Sequence, residues 1–175
     1  MITLRPAAAC AAMAILAWTA PAAAADQRDK SVLSLVFDLC PKVLADDEAL
    51  RDPALLAAIG FTSTAPRETP TFKEPRAEKG SGSDRIVLAG GGSHGCSIWL
   101  GGSDTDRLTL AVMQRAQATG YRGGRVFRTG GGIDVAVLLD SANPGRSLSI
   151  IGGDGGGEIG IKPAVTIVMM DKKGN

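Results

Sequence analysis

Gly91-Gly92-Ser93-His94-Gly95 has the spacing G-x-S-x-G, in which a serine on a tight turn can serve as an acyl-transfer nucleophile. That chemistry needs a strand before the serine, a helix after it, and a histidine base backed by a carboxylate. Cys96-Ser97-Ile98-Trp99-Leu100 follows the motif and reads as a strand. His94 is the sole histidine of the chain and adjoins the serine, so it is badly placed to take the serine's proton. Ser93 and His94 are therefore expected to be turn residues, and no catalytic residue is assigned.

Gly155-Gly156-Gly157-Glu158-Ile159-Gly160 fits G-x-G-x-x-G. A dinucleotide site would place a helix N-terminus directly after those glycines, to meet the pyrophosphate. Lys162-Pro163-Ala164-Val165-Thr166-Ile167-Val168 is β-branched and carries a proline near its start, so a strand is expected and no cofactor. Gly152-Gly153-Asp154-Gly155 has the look of a calcium β-roll turn, but there is one copy, and stacked copies are needed to complete each ion's shell. Asp46-Asp47-Glu48 reads as a solvated helix end, and Asp104 with Asp106 as acids favoured by a helix dipole. One histidine and a paired couple of cysteines leave no zinc ligand set. No metal is expected.

Arginine is the richer signal. Arg122, Arg125 and Arg128 cluster beside Tyr121 and Phe127 just after a helix end. Arginines there complement the helix dipole, and their forked guanidinium groups also match carboxylate or phosphate, so they are candidates for an anion or acidic-partner contact. Trp99 is either a core residue or a partner contact.

These side chains belong to an exported chain. Arg5 supplies a positive n-region, Ala7 to Trp18 is wholly apolar, Pro21 breaks the run, and Ala23 and Ala25 are the small residues before Asp26. That is the pattern of a cleaved Sec-type signal peptide over residues 1–25, with a single exported domain over 26–175. Pro6 to Ala25 has no charge and is as long as a membrane span, yet it is mostly alanine. Cys10 lies inside the apolar run, which argues against a lipoprotein. The composition points to a bacterial periplasmic or secreted protein with no transmembrane segment after cleavage. Cys40 and Cys96 remain, an even pair that an oxidising compartment converts to a disulfide.

All 18 acidic residues lie in that domain; 18 of the 19 basic residues do too, because Arg5 leaves with the leader. The resulting formal charge of zero argues against nucleic acid, whose binding needs surplus cations.

The elements that must position these residues follow from periodicity. Val32, Leu35, Val36, Leu39, Val43 and Leu44 recur at helical spacing from Gln27 to Ala45, with Cys40 on the same line and Pro41 expected to kink or end the helix. Asp52 and Pro53 open a short helix to Ile59. Residues 61–83, rich in proline and charge, are expected to be a surface loop. Strands then follow at Arg85–Ala89 and Cys96–Leu100, and Ser103 with Asp106 opens a helix carrying Leu108, Val112 and Ala116. Arg125–Thr129, Ile133–Asp140, Ser147–Ile151 and Ile159–Met170 are the remaining strands. The expected fold is α+β: two N-terminal helices, then a mainly antiparallel sheet of about five or six strands with one helix inserted after the second.

Nothing in this pattern names an activity. The expectation is a non-catalytic binding or envelope-associated role with a protein or envelope partner. Its rival is a cell-envelope hydrolase whose carboxylates are brought together only by folding. A cleft with two facing carboxylates would favour the enzyme, and an open sheet face bearing Trp99 or Phe127 would favour binding.

Overall fold

A computed structural model describes residues 20–68, 73–90, 95–128, 134–153 and 164–171. Among these residues four α-helices, α1 (Ala20–Ser34), α2 (Cys40–Ala45), α3 (Pro53–Ala58) and α4 (Thr105–Ala118), accompany eight strands. The first four strands are β1 (Thr62–Glu68), β2 (Lys73–Lys79), β3 (Ile86–Gly90) and β4 (Cys96–Gly101). The second four are β5 (Tyr121–Arg128), β6 (Asp134–Asp140), β7 (Arg146–Gly153) and β8 (Ala164–Asp171). All pair antiparallel in one sheet of order β1-β2-β3-β4-β8-β7-β6-β5. Each half is thus a helical segment followed by a four-stranded meander, and the last strands of the two meanders meet at the centre. The α+β class holds, with one antiparallel sheet and few helices.

The helices share one face of the sheet. Val32, Leu35, Val36, Leu39, Val43 and Leu44 form the stripe expected from the sequence, and all are buried. They pack with Leu108, Val112 and Ala116 of α4 and with Ile98, Leu100, Leu148 and Ile167 of the sheet. Pro41 does not end the helical segment. Its missing N–H and bulky ring are accommodated by a π-turn over Leu35–Leu39, closed by the Cys40 N–H donating to the Leu35 carbonyl. Asp52 caps α3 as expected, its carboxylate accepting from the Ala54 and Leu55 amides at 2.9 and 3.2 Å.

Three expectations need correction. The sheet has eight strands, not five or six. The inserted helix follows the fourth strand, because residues 61–83 are not a surface loop: they hold β1, β2 and a 3-10 turn at Gly82–Asp84. The prolines fit because β1 is an edge strand whose register shifts between Thr64 and Arg67, spanning Pro66, and because β2 pairs with β3 only from Arg76 onward, after Pro75. Finally, the Ser103–Asp106 capping box does not form. Asp104 stands at the N-cap of α4 without a side-chain cap, since its carboxylate is held by arginines instead.

Candidate functional site

Cys40 and Cys96 form a disulfide, with Cα atoms 5.4 Å apart. It joins the first residue of α2 to the first of β4, and both cysteines are buried in the core. Cys96 begins a strand rather than a helix, so the G-x-S-x-G turn lacks the strand–turn–helix frame of a nucleophile elbow; Ser93 and His94 themselves lie outside the described residues. Gly95 is described, at φ 83°, and a Cβ there would come within 2.6 Å of the Met169 carbonyl oxygen. Its glycine is demanded by the approach of β8. The G-x-G-x-x-G stretch also lies outside the described residues, and β8, the next element, is again a strand. Among the described residues no group of three or more His, Cys, Asp or Glu could hold a metal ion.

Of the arginine cluster, Arg122 is placed at the C-terminal end of α4. Its Nη1 donates to the carbonyls of Gln117 at 3.0 Å and Tyr121 at 3.1 Å, closing the helix as the dipole argument allows. Arg125 and Arg128 lie on β5, one of the sheet's two edge strands, paired with Val137 and Asp134; their side chains, and that of Phe127, lie outside what is described.

Trp99 sits on the face opposite the helices. Because paired residues share a face, it lies in a row with Val87, Thr166, Ile151 and Val135, beside a second row of Ala89, Ser97, Val168, Ser149 and Val137. Met170, Ser147 and Leu139 make a third. Among the described residues of β3, β4, β8, β7 and β6, none on this face is charged. Trp99 is half-buried, while Leu139 and Met170 are 54% and 38% exposed. Charge lies at its two flanks: on one, Arg85 holds Glu78 through Nε at 2.9 Å and Nη2 at 2.5 Å, and Arg76 lies 3.5 Å from the same carboxylate; on the other, Arg122 and Arg125 of β5 pair with Leu139 and Val137.

Two polar clusters went unnoticed in the sequence. Arg28 meets Asp104 at 2.5 Å and also donates to the Gly101 carbonyl, while Arg107 bridges Asp104 at 2.8 Å and Asp29. Gly102, at φ 112°, makes room for it: a Cβ there would fall 2.7 Å from the Arg28 guanidinium. At one end of the sheet, Tyr121, Asp140, Arg146 and Asp171 line up on adjacent strands. Arg146 reaches Asp171 at 3.2 Å, and Tyr121 makes an edge contact with Phe37, ring centroids 6.3 Å apart. Burial pushes the Asp140 carboxyl up. Hydrogen bonds from the Asn143 side chain and the Ala142 and Asn143 amides, together with the Arg146 charge, outweigh it and hold the group below the ordinary aspartate value. Burial, with Asp140 and Asp171 nearby, pushes the Tyr121 phenol up despite the opposing charge of Arg146. Only strand register brings these four together, which is why spacing in the chain did not reveal them.

No protein-family model, curated protein or solved structure matches the chain. Among the described residues no helix is long and apolar enough to cross a membrane.

Proposed function

We propose that this is an exported bacterial domain, periplasmic or secreted, that binds a protein partner without catalysing a reaction on it. The observation that carries the reading is the uncharged sheet face around Trp99. A solvated antiparallel sheet alternates apolar and polar residues, whereas β3, β6 and β8 are apolar on both sides, the pattern of strands covered on both faces. Leu139 and Met170 are exposed on this face and Trp99, Val135, Val137, Ile151 and Val168 are half-buried, and apolar surface open to solvent in this way marks an interaction site. The disulfide fits an oxidising compartment, and the N-terminal charge, apolar run and small residues fit a cleaved leader. The rival, a hydrolase with dispersed carboxylates, needs one carboxyl kept protonated as a general acid. Asp140, beside Arg146 and Asp171, is shifted the opposite way.

Affinity capture from periplasmic extract tests this reading. The expected result is a partner retained by the wild-type domain and lost by Trp99→Ala and Val168→Lys at unchanged melting temperature. Capture indifferent to both substitutions would overturn it.

A further inference from the structure

On the helix-covered side, away from Trp99, an open groove of about 950 Å³ runs between α1–α2 and α3. That volume is in the range of small-molecule sites, roughly 300–1,000 Å³. Leu35 and Leu39 of the π-turn, Leu55, Ile59 and Ile86 line it, and Ile59 is 36% exposed. A π-turn within a helix is a costly irregularity that often marks a functional position; here it delivers Leu35, Asp38 and Leu39 to the groove.

The charged lining is unbalanced. Arg28, Lys30, Lys42 and Lys79 face Asp38 and Asp84, a cationic excess in a domain whose formal charge is zero. Several of these cations are engaged: Arg28 by Asp104 and the Gly101 carbonyl, Lys79 by the Ile59 carbonyl at 3.1 Å. Lys42 is exposed and makes no ion pair among the described residues. From Gln27 to Lys42 the groove wall is a helical segment about 22 Å long at ~1.5 Å per residue, room for an extended acyl chain. We infer that this groove binds a single-chain anionic amphiphile, its tail along Leu35, Leu39, Leu55, Ile59 and Ile86 and its carboxylate or phosphate head at Lys42. The site is separate from the proposed partner face, so either can fail without the other.

Calorimetric titration of the disulfide-bonded protein with dodecanoate, dodecyl phosphate and dodecyltrimethylammonium, each below its micelle-forming concentration, tests the inference. The expected result is one-to-one binding of at least one anionic probe and none of the cationic one. Lys42→Glu and, separately, Ile59→Glu should each weaken that binding at least tenfold. Lys42→Gln, a milder change, should weaken it in the same direction. The ratio between the two anionic probes tells a fatty-acid head from a phosphate head. Equal uptake of the cationic probe, no uptake of either anion, or affinity unchanged in folded Lys42→Glu and Ile59→Glu would overturn the inference. So would a groove filled by a second copy, seen as dimers in sedimentation that the anionic probes do not dissociate.

Discussion

Arg28 and Asp104, separated by 76 positions, meet at 2.5 Å and tie α1 to the start of α4. Their side chains are 17% and 25% exposed, so the pair is partly shielded from solvent. Arg28→Ala and Asp104→Ala should each destabilise the fold, the first losing the Gly101 carbonyl as well and the second the bond from Arg107. A double-mutant cycle in denaturant should give a coupling of about 1 kcal/mol that shrinks with added salt. Strict additivity would show that the contact carries no energy.

The Cys40–Cys96 bond closes 56 positions of chain. In the chain-entropy account a loop of that size contributes about 4 kcal/mol by restricting the unfolded state. Cys40→Ser and Cys96→Ser should each lower the unfolding free energy by about 2–5 kcal/mol, and the double variant should be no worse than either, since one bond is lost in all three. Thiol titration of the unfolded, unreduced mature protein should find no free cysteine. Two free thiols or additive losses would contradict the bond.

Tyr121 is the chain's one tyrosine, so tyrosinate absorbance reads it alone. Its phenol should titrate above the ordinary value near ~10 in the folded protein and return to it in urea. The sign for stability follows. Above about pH 10 the unfolded chain ionises first, so stability falls as pH rises toward the folded value. Tyr121→Phe should remove that alkaline loss. An ordinary titration in the folded state would mean the phenol is not buried.

Asp140 behaves in the opposite sense. Its folded value lies below that of the unfolded chain, near ~3.9, so its contribution is complete above that pH and is lost as pH falls through the folded value. Asp140→Asn should cost about 1.5–3 kcal/mol at neutral pH, the usual worth of hydrogen bonds to a charged group. The gap from wild type should close in acid below about pH 4. A gap that persists there would assign the loss to packing instead.

Where burial follows a strong period, the sequence was readable. The stripe from Val32 to Leu44, the Asp52 cap and the six strands from β3 to β8 emerged from apolar spacing alone, and the cysteine pairing followed from compartment and count. What stayed hidden depends on contacts distant in the chain. Asp104 was expected only to complement a helix dipole, but Arg28 claims it from another helix. The Tyr121, Asp140, Arg146 and Asp171 row exists only through strand register. Trp99 was placed on its strand, but which face that strand shows to the helices depends on Cys96 bonding to Cys40.

The hairpin of β1 and β2 is the most instructive miss, and it yields a sharp test. From Pro75 to Glu78 the side chains alternate between buried and half-exposed: Pro75 in, Arg76 out, Ala77 in, Glu78 out. The period is two, but its inward positions hold only proline and alanine, so little hydropathy marks it. Ala77 is 0% exposed, pairs with Ser63 and Leu88, and belongs to the core. Ala77→Lys should therefore destabilise by more than about 3 kcal/mol, the range for overpacking combined with an unpaired buried charge. Ser63→Lys, on the exposed outer strand, should change stability by less than about 0.5 kcal/mol. Because β2 lies inside the sheet, its amides from Arg76 to Lys79 donate alternately to β1 and β3 and should exchange slowly with solvent. Rapid exchange there, with Ala77→Lys as mild as Ser63→Lys, would return residues 61–83 to the surface loop that their composition suggests.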